Sequence, residues 1–206
     1  MNRPPRSSRG FSLVEVLVSL VILGTLMAAT ITALDTSFKA YKSTTESAST
    51  NVVARMVVHR VSAMIRGGVE FGPYPADVLD SAQNPATYTY MEFNAGLNPG
   101  NGATRIIRLE RRTVAAGSQA PYELWYVENE VLAGVVTLIE ERPLLTDIKD
   151  LTFTLEYDVG PRLRRATIDL TVKPNDYQDA SFSTQLETPT VRLVASVCPR
   201  RLEERF

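Results

Sequence analysis

Hydrophobic and polar positions alternate with two different periods along this chain. From Phe11 to Leu34 the residues are apolar, small or hydroxylated, and a single charge, Glu15, interrupts 24 positions. A helix of that length rises about 36 Å at about 1.5 Å per residue, enough for a hydrocarbon core of about 30 Å. The segment 11–34 therefore predicts a membrane-spanning helix. Asp35 to Arg66 continues the helical habit without Pro or Gly. Phe38, Tyr41, Ala48, Val52, Met56, Val57, Met64 and Ile65 recur at spacings near three and four, with Lys39, Lys42, Glu46, Arg55 and Arg66 among the polar positions. Gly67-Gly68 predicts the stop, because glycine readily takes the left-handed conformation at a helix C-terminus. One helix from Phe11 to Arg66 would be about 84 Å long. Its Ser- and Thr-rich stretch, Ser43 to Thr50, has the weakest helix propensity and is the natural place for a bend.

Beyond Gly68 the period falls to two. Gly72-Pro73-Tyr74-Pro75 and Asn84-Pro85 mark a loop region. Strands are then predicted at Thr87–Phe93, Thr104–Leu109, Tyr122–Glu128, Val135–Glu140, Leu151–Tyr157, Arg164–Val172 and Thr188–Val194, each rich in β-branched or aromatic residues. Leu151, Phe153, Leu155 and Tyr157 should share one face, as should Ala166, Ile168, Leu170 and Val172. Turns are expected at Leu97-Asn98-Pro99-Gly100-Asn101-Gly102 and at Val159-Gly160-Pro161. A long N-terminal helix, membrane-spanning in its first half, packed on antiparallel strands is an α+β architecture.

Glu15 is the anomaly in the apolar run. An ionised carboxylate at membrane depth costs on the order of a few kcal/mol, so it calls for a partner. A cut between Gly10 and Phe11 would create an α-amine four residues away, a cation at the depth of a neighbouring subunit's Glu15. The pattern Arg9-Gly10-Phe11-Ser12-Leu13-Val14-Glu15, a basic leader ending in Gly followed by Phe and a hydrophobic run with Glu at its fifth position, resembles the prepilin signal of type IV pilins and type II secretion pseudopilins. The resemblance covers about the first 35 residues, with Ser12 standing where Thr is common. It implies a pilin-like fold, cleavage by prepilin peptidase after Gly10, N-methylation of Phe11, and a role for Glu15 in aligning subunits during filament assembly.

Two plainer readings compete. A secretory signal peptide also starts basic, and Ala28 to Ala33 supplies small residues near which it could be cut. Its apolar core usually runs about 7 to 15 residues, however, and this one is longer and holds a carboxylate. A simple single-pass anchor accounts for the length but not for Glu15 or for Gly-Phe at the membrane edge. Arg3, Arg6 and Arg9 precede the span, whereas Lys39 and Lys42 beyond it are offset by Asp35 and Glu46, so the N-terminus should stay cytoplasmic and the C-terminal domain should face outward from the inner membrane.

Composition limits the remainder. The 206 residues, 44% hydrophobic, allow one membrane segment and one ordinary domain, giving a leader at 1–10, a spanning helix at 11–34, its amphipathic continuation at 35–66 and a β-rich outer domain at 67–206. The formal charge is −1; without the three leader arginines 19 basic residues face 23 acidic ones, near −4, which argues against a nucleic-acid partner. Cys198 is the single cysteine, so no internal disulfide can form. Major type IV pilins commonly close a C-terminal loop with a cysteine pair, so the resemblance leans toward a pseudopilin or minor pilin. The order of parts, with Leu144 leading into Asp150-Leu151-Thr152-Phe153 and a second strand preceded by basic residues, is similar to the J-type minor pseudopilins. The K type typically lacks the fifth-position Glu and carries a bulky insertion. Major pilins often kink this helix with a proline that residues 11–66 lack, so a straighter helix is expected.

Catalytic chemistry has little to stand on. The one histidine, His59, lies on the predicted helix, and Cys198 is remote from it in sequence. No G-x-x-x-x-G-K-[ST] or G-x-G-x-x-G run occurs. Asn175, Asp176 and Asp179 offer oxygen ligands in one loop but do not follow the EF-hand spacing, and no metal or cofactor is assigned. Arg105, Arg108, Arg111, Arg112, Arg162, Arg164 and Arg165 could form a phosphate-binding face, as in DNA-binding minor pilins, or a solvated sheet edge protected by charge. The reading as a whole is a non-enzymatic minor pseudopilin or pilin subunit, whose partners are prepilin peptidase, other filament subunits and the membrane. Its alternatives are a DNA-binding minor pilin and a plain anchored domain.

Overall fold

The computed structural model describes residues 12–114, 121–160, 162–173 and 190–200. The absence of Pro and Gly breaks between Asp35 and Arg66 has the expected effect: one helix, α1, is hydrogen-bonded without interruption over Leu13–Gly67, including Ser43 to Thr50. The chain divides into two compact units, residues 1–45 and 46–206. In the first, the side chains of α1 from Leu13 to Tyr41 are exposed.

In the second unit the rest of α1 meets a sheet of eight strands: β1 (Val69–Gly72), β2 (Ala86–Tyr88), β3 (Tyr90–Leu97), β4 (Thr104–Thr113), β5 (Tyr122–Leu132), β6 (Val135–Asp158), β7 (Arg162–Val172) and β8 (Val191–Val197). All pairings are antiparallel, in the order β1-β3-β4-β5-β6-β7-β8, with β2 beside β6. This is an α+β fold. Ala54, Val58, Val61 and Ile65, spaced four, three and four residues apart, bury one stripe of α1 in the core. The register sets Leu151 opposite Leu170, Phe153 opposite Ile168 and Leu155 opposite Ala166, so both predicted apolar faces enter that core together.

Four predicted features need correction. First, Val52 and Met56 are 53% and 65% exposed. They lie on the opposite side of the helix from the buried stripe, and a segment with two apolar stripes does not declare which one the sheet will take. Second, Val135–Glu140 and Leu151–Tyr157 belong to one strand, β6. Pro143 interrupts the sequence pattern but is tolerated opposite Trp125, and the strand changes partner at Ile148, which pairs with both Tyr122 and Val172. Asp147, at a φ of 57°, marks that change of direction. Third, Thr87–Phe93 is split at Thr89, because β2 pairs with β6 while β3 pairs with β4. Fourth, β1 lies just before the predicted loop region and overlaps it at Gly72, where no strand is predicted, its four residues being too few to display a period. Ala133-Gly134 closes the β5–β6 hairpin with φ values of 51° and 84°, the paired positive φ of a type I′ turn. Strand β8 begins at Val191, three residues later than predicted, with 188 and 189 outside the described residues.

Candidate assembly site

The first turn of α1 brings its one acid to the surface. The carbonyl of Ser12 accepts the N–H groups of Glu15 at 3.0 Å and Val16 at 3.2 Å, which puts Ser12 in the N-cap position. Ser12 and Glu15 also have the S-x-x-E spacing of a capping box, in which the carboxylate would bond back to the helix start. That box is not closed. Neither the Ser12 hydroxyl nor the Glu15 carboxylate has a hydrogen-bond or ion partner among the described residues. A carboxylate in the first turn gains about 0.3–1 kcal/mol from the helix dipole, less than the roughly 2.5–3.5 kcal/mol that a charge costs at membrane depth. The local benefit therefore does not account for Glu15 in lipid. Gly10 and Phe11, the other residues of the predicted signal, lie outside the described residues.

The remaining polar groups of this segment are satisfied within the helix. Ser19 donates to the Glu15 carbonyl at 2.7 Å, Thr25 to Ile22 at 2.9 Å, Thr32 to Ala28 at 2.6 Å, and Thr30 to both Leu26 and Met27. Hydroxyls bonded back to carbonyls one turn earlier need no water, so they are compatible with a hydrocarbon surround. α1 is long and apolar enough in its N-terminal part to cross a membrane. The first ion pair along it, Lys39 to Asp35 at 2.9 Å, falls where the apolar run ends.

The outer unit shows how the other sequence candidates are placed. Cys198 is a free, exposed thiol, and His59 is exposed on α1. Asn175, Asp176 and Asp179 lie outside the described residues, and no group of three metal-ligating side chains occurs among those that are described. Of the seven arginines proposed as a cationic face, six are ion-paired. Arg105 pairs with Glu128, Arg108 and Arg112 with Glu110, Arg112 also with Glu141, Arg111 with Asp150, and Arg164 and Arg165 with Glu156. Arg108, Arg111 and Arg112 also lie over the rings of Tyr90, Tyr122 and Trp125. Their charge is directed into the sheet's own acids and aromatics.

One of these clusters was not anticipated. Glu128, only 6% exposed, accepts from Arg105 Nε at 2.7 Å and from the Tyr126 hydroxyl at 2.6 Å. The Arg105 bond holds the Glu128 carboxyl below the usual carboxylate range, while burial, and then the bond to Glu128, push the Tyr126 phenol up to about 12. Burial likewise raises the phenol of Tyr157, which donates to the Pro73 carbonyl at 3.0 Å. The Tyr-x-Glu spacing on β5 was the available signal, but Arg105 reaches it only through the β4–β5 register. These are networks internal to the outer unit, in which Glu128 is held by Arg105 and Tyr126 and the Tyr157 hydroxyl by a main-chain carbonyl.

Residues 5–31 match the family model described as the prokaryotic N-terminal methylation motif. No curated protein and no solved structure matches the chain. The N-terminal segment thus carries the signal of type IV pilins and pseudopilins, spanning Gly10, Phe11 and Glu15. With this motif the apolar helix is a single-pass membrane anchor, and the motif implies processing by a prepilin peptidase and assembly with pilin-type subunits in a structural role.

Proposed function

We propose that this chain is a minor pseudopilin or minor pilin of a type II secretion or type IV pilus-like filament. It is cut between Gly10 and Phe11, N-methylated at Phe11 and held in the inner membrane by residues 11–34, with residues 67–206 facing outward. The observation that carries this reading is the exposed carboxylate of Glu15, without a partner among the described residues, on the first turn of an apolar helix inside the matched motif. After cleavage the Phe11 amine of an adjacent subunit supplies the missing cation, and pairing relieves both buried charges at once. The single Cys198 and the absence of a Pro in residues 11–66 favour a minor subunit, and the strand order is compatible with the J type. Six of the seven β4 and β7 arginines that would form its phosphate-binding face are paired internally, which weighs against the DNA-binding alternative.

Mass spectrometry of the native N-terminus tests the proposal. A mature chain beginning at N-methylated Phe11 is expected, whereas an intact Met1 leader in cells with an active prepilin peptidase would refute it.

A further inference from the structure

A groove of about 210 Å³ runs between α1 and β8 in the outer unit. Its helical wall is Arg55, Val58, His59, Ser62 and Arg66, at spacings of three, one, three and four residues, which is one face of the helix. Its other wall is the five consecutive residues Leu193 to Val197. Successive strand residues point to opposite faces of a sheet, so a cavity touching five in a row lies along the strand's edge and meets its main chain. β8 is the terminal strand of the sheet order and pairs only with β7, through Val191–Val197. Its outer edge therefore offers N–H and C=O groups that have no strand partner among the described residues. One end of the groove is closed by the Arg200 N–H, which donates to the Arg66 carbonyl at 3.0 Å.

We propose that this groove is a strand-addition site for an extended acidic segment of a partner protein. An edge strand facing a helix is the geometry in which a peptide adds to a sheet, main-chain bonds supplying affinity and the helix face supplying selectivity. Charge identifies the partner. Among the described residues no carboxylate lines the groove, while Arg55 and Arg66 are exposed there and form no ion pair, Arg55 bonding only to the Asn51 amide oxygen at 2.8 Å. This contrasts with the arginines of β4 and β7, most of which are paired internally. Val58 and Ser62 are buried and short, leaving room at the groove floor for side chains of alternate residues of the added strand. The site lies wholly in the outer unit and does not depend on cleavage at Gly10.

The test is fluorescence anisotropy with the full chain in detergent micelles and a labelled peptide of alternating Glu and Val as probe. Binding that weakens with added salt, a Lys-for-Glu peptide that does not bind, and loss of binding when alternate peptide amides are N-methylated are together expected. Reversal of both cations in Arg55→Glu/Arg66→Glu should weaken the Glu peptide about tenfold or more and admit the Lys peptide. Equal binding of the N-methylated peptide, or indifference to the charge reversal in a variant with unchanged circular dichroism, would overturn the proposal. So would peptide binding that appears only on dilution of a dimer, which assigns the groove to a second copy, or only in a chain ended after Arg200, which assigns it to residues 201–206.

Discussion

Gly68 lies against the ring of Phe93 so closely that an added Cβ would fall 2.5 Å from Phe93 Cδ2 and 3.1 Å from Phe71 Cζ. Phe93 and Phe71 are 1% and 4% exposed and stack on one another at 5.6 Å, so neither ring can retreat. The glycine at the end of α1 is thus required by packing. Neither Gly67 nor Gly68 is among the residues with positive φ, contrary to the left-handed stop expected from the sequence. Gly68→Ala should destabilise the outer domain by about 1–3 kcal/mol, the usual cost of overpacking a core, whereas Gly67→Ala, with nothing within 4 Å, should not destabilise it. Thermal unfolding of the two variants in detergent distinguishes these outcomes.

Phe153 is fully buried between its register partners Tyr88 on β2 and Ile168 on β7. It is the place where β6 is held on both sides. Phe153→Ala should cost about 3–5 kcal/mol, a large share of the roughly 5–15 kcal/mol of an ordinary domain, and a melt shifted to markedly lower temperature with retention of the helical signal from residues 13–45 is the expected result.

The Glu128 cluster gives a pH prediction whose sign follows from its pKa. The folded-state pKa lies below the ordinary carboxylate value of 4.5, chiefly through the Arg105 hydrogen bond, so this contribution to stability is present above pH 4.5 and is lost as pH falls through the folded value. Glu128→Gln should lower stability at neutral pH by roughly 1–3 kcal/mol, the cost of leaving a buried charge-assisted bond unmade. The gap between variant and wild type should then close below about pH 4.5, because only the wild type carries this linkage. Melting temperatures of both proteins across pH 3 to 7 would show the convergence; parallel curves would contradict it.

Glu15→Ala should leave the melt of the outer unit unchanged, since Glu15 lies in the other compact unit and its side chain makes no hydrogen bond or ion pair among the described residues. Incorporation into filaments should fall sharply. Glu15→Asp retains the charge but draws it back by one methylene and should be intermediate. Immunoblotting of sheared filaments against total membrane protein measures the effect, and wild-type incorporation of Glu15→Ala would count against the pairing with Phe11.

The elements legible in the sequence were those whose cause is local. The apolar length of 11–34 and the hydroxyls that can bond back one turn are properties of a single segment, and so is the acid at Glu15, the one charge within that run. The alternation Leu151, Phe153, Leu155, Tyr157 is equally local, and all four side chains are buried as the period requires. What the sequence left undecided needed a partner distant along the chain. Whether α1 presents Val58 and Ile65 or Val52 and Met56 to the core depends on where the sheet lies, because both stripes are apolar. That Val135 and Tyr157 share one strand depends on β5 and β7 each taking half of it, across a Pro that ends most strand patterns. The need for a glycine at position 68 follows from the position of Phe93, and the pairing of Arg105 with Glu128 from a strand register. Period and propensity act over a few residues and so determined the anchor, the element types and the assembly signal. Packing and hydrogen-bond satisfaction act across the fold, and they alone decided which faces are buried, which arginines are neutralised and where an open strand edge meets a helix.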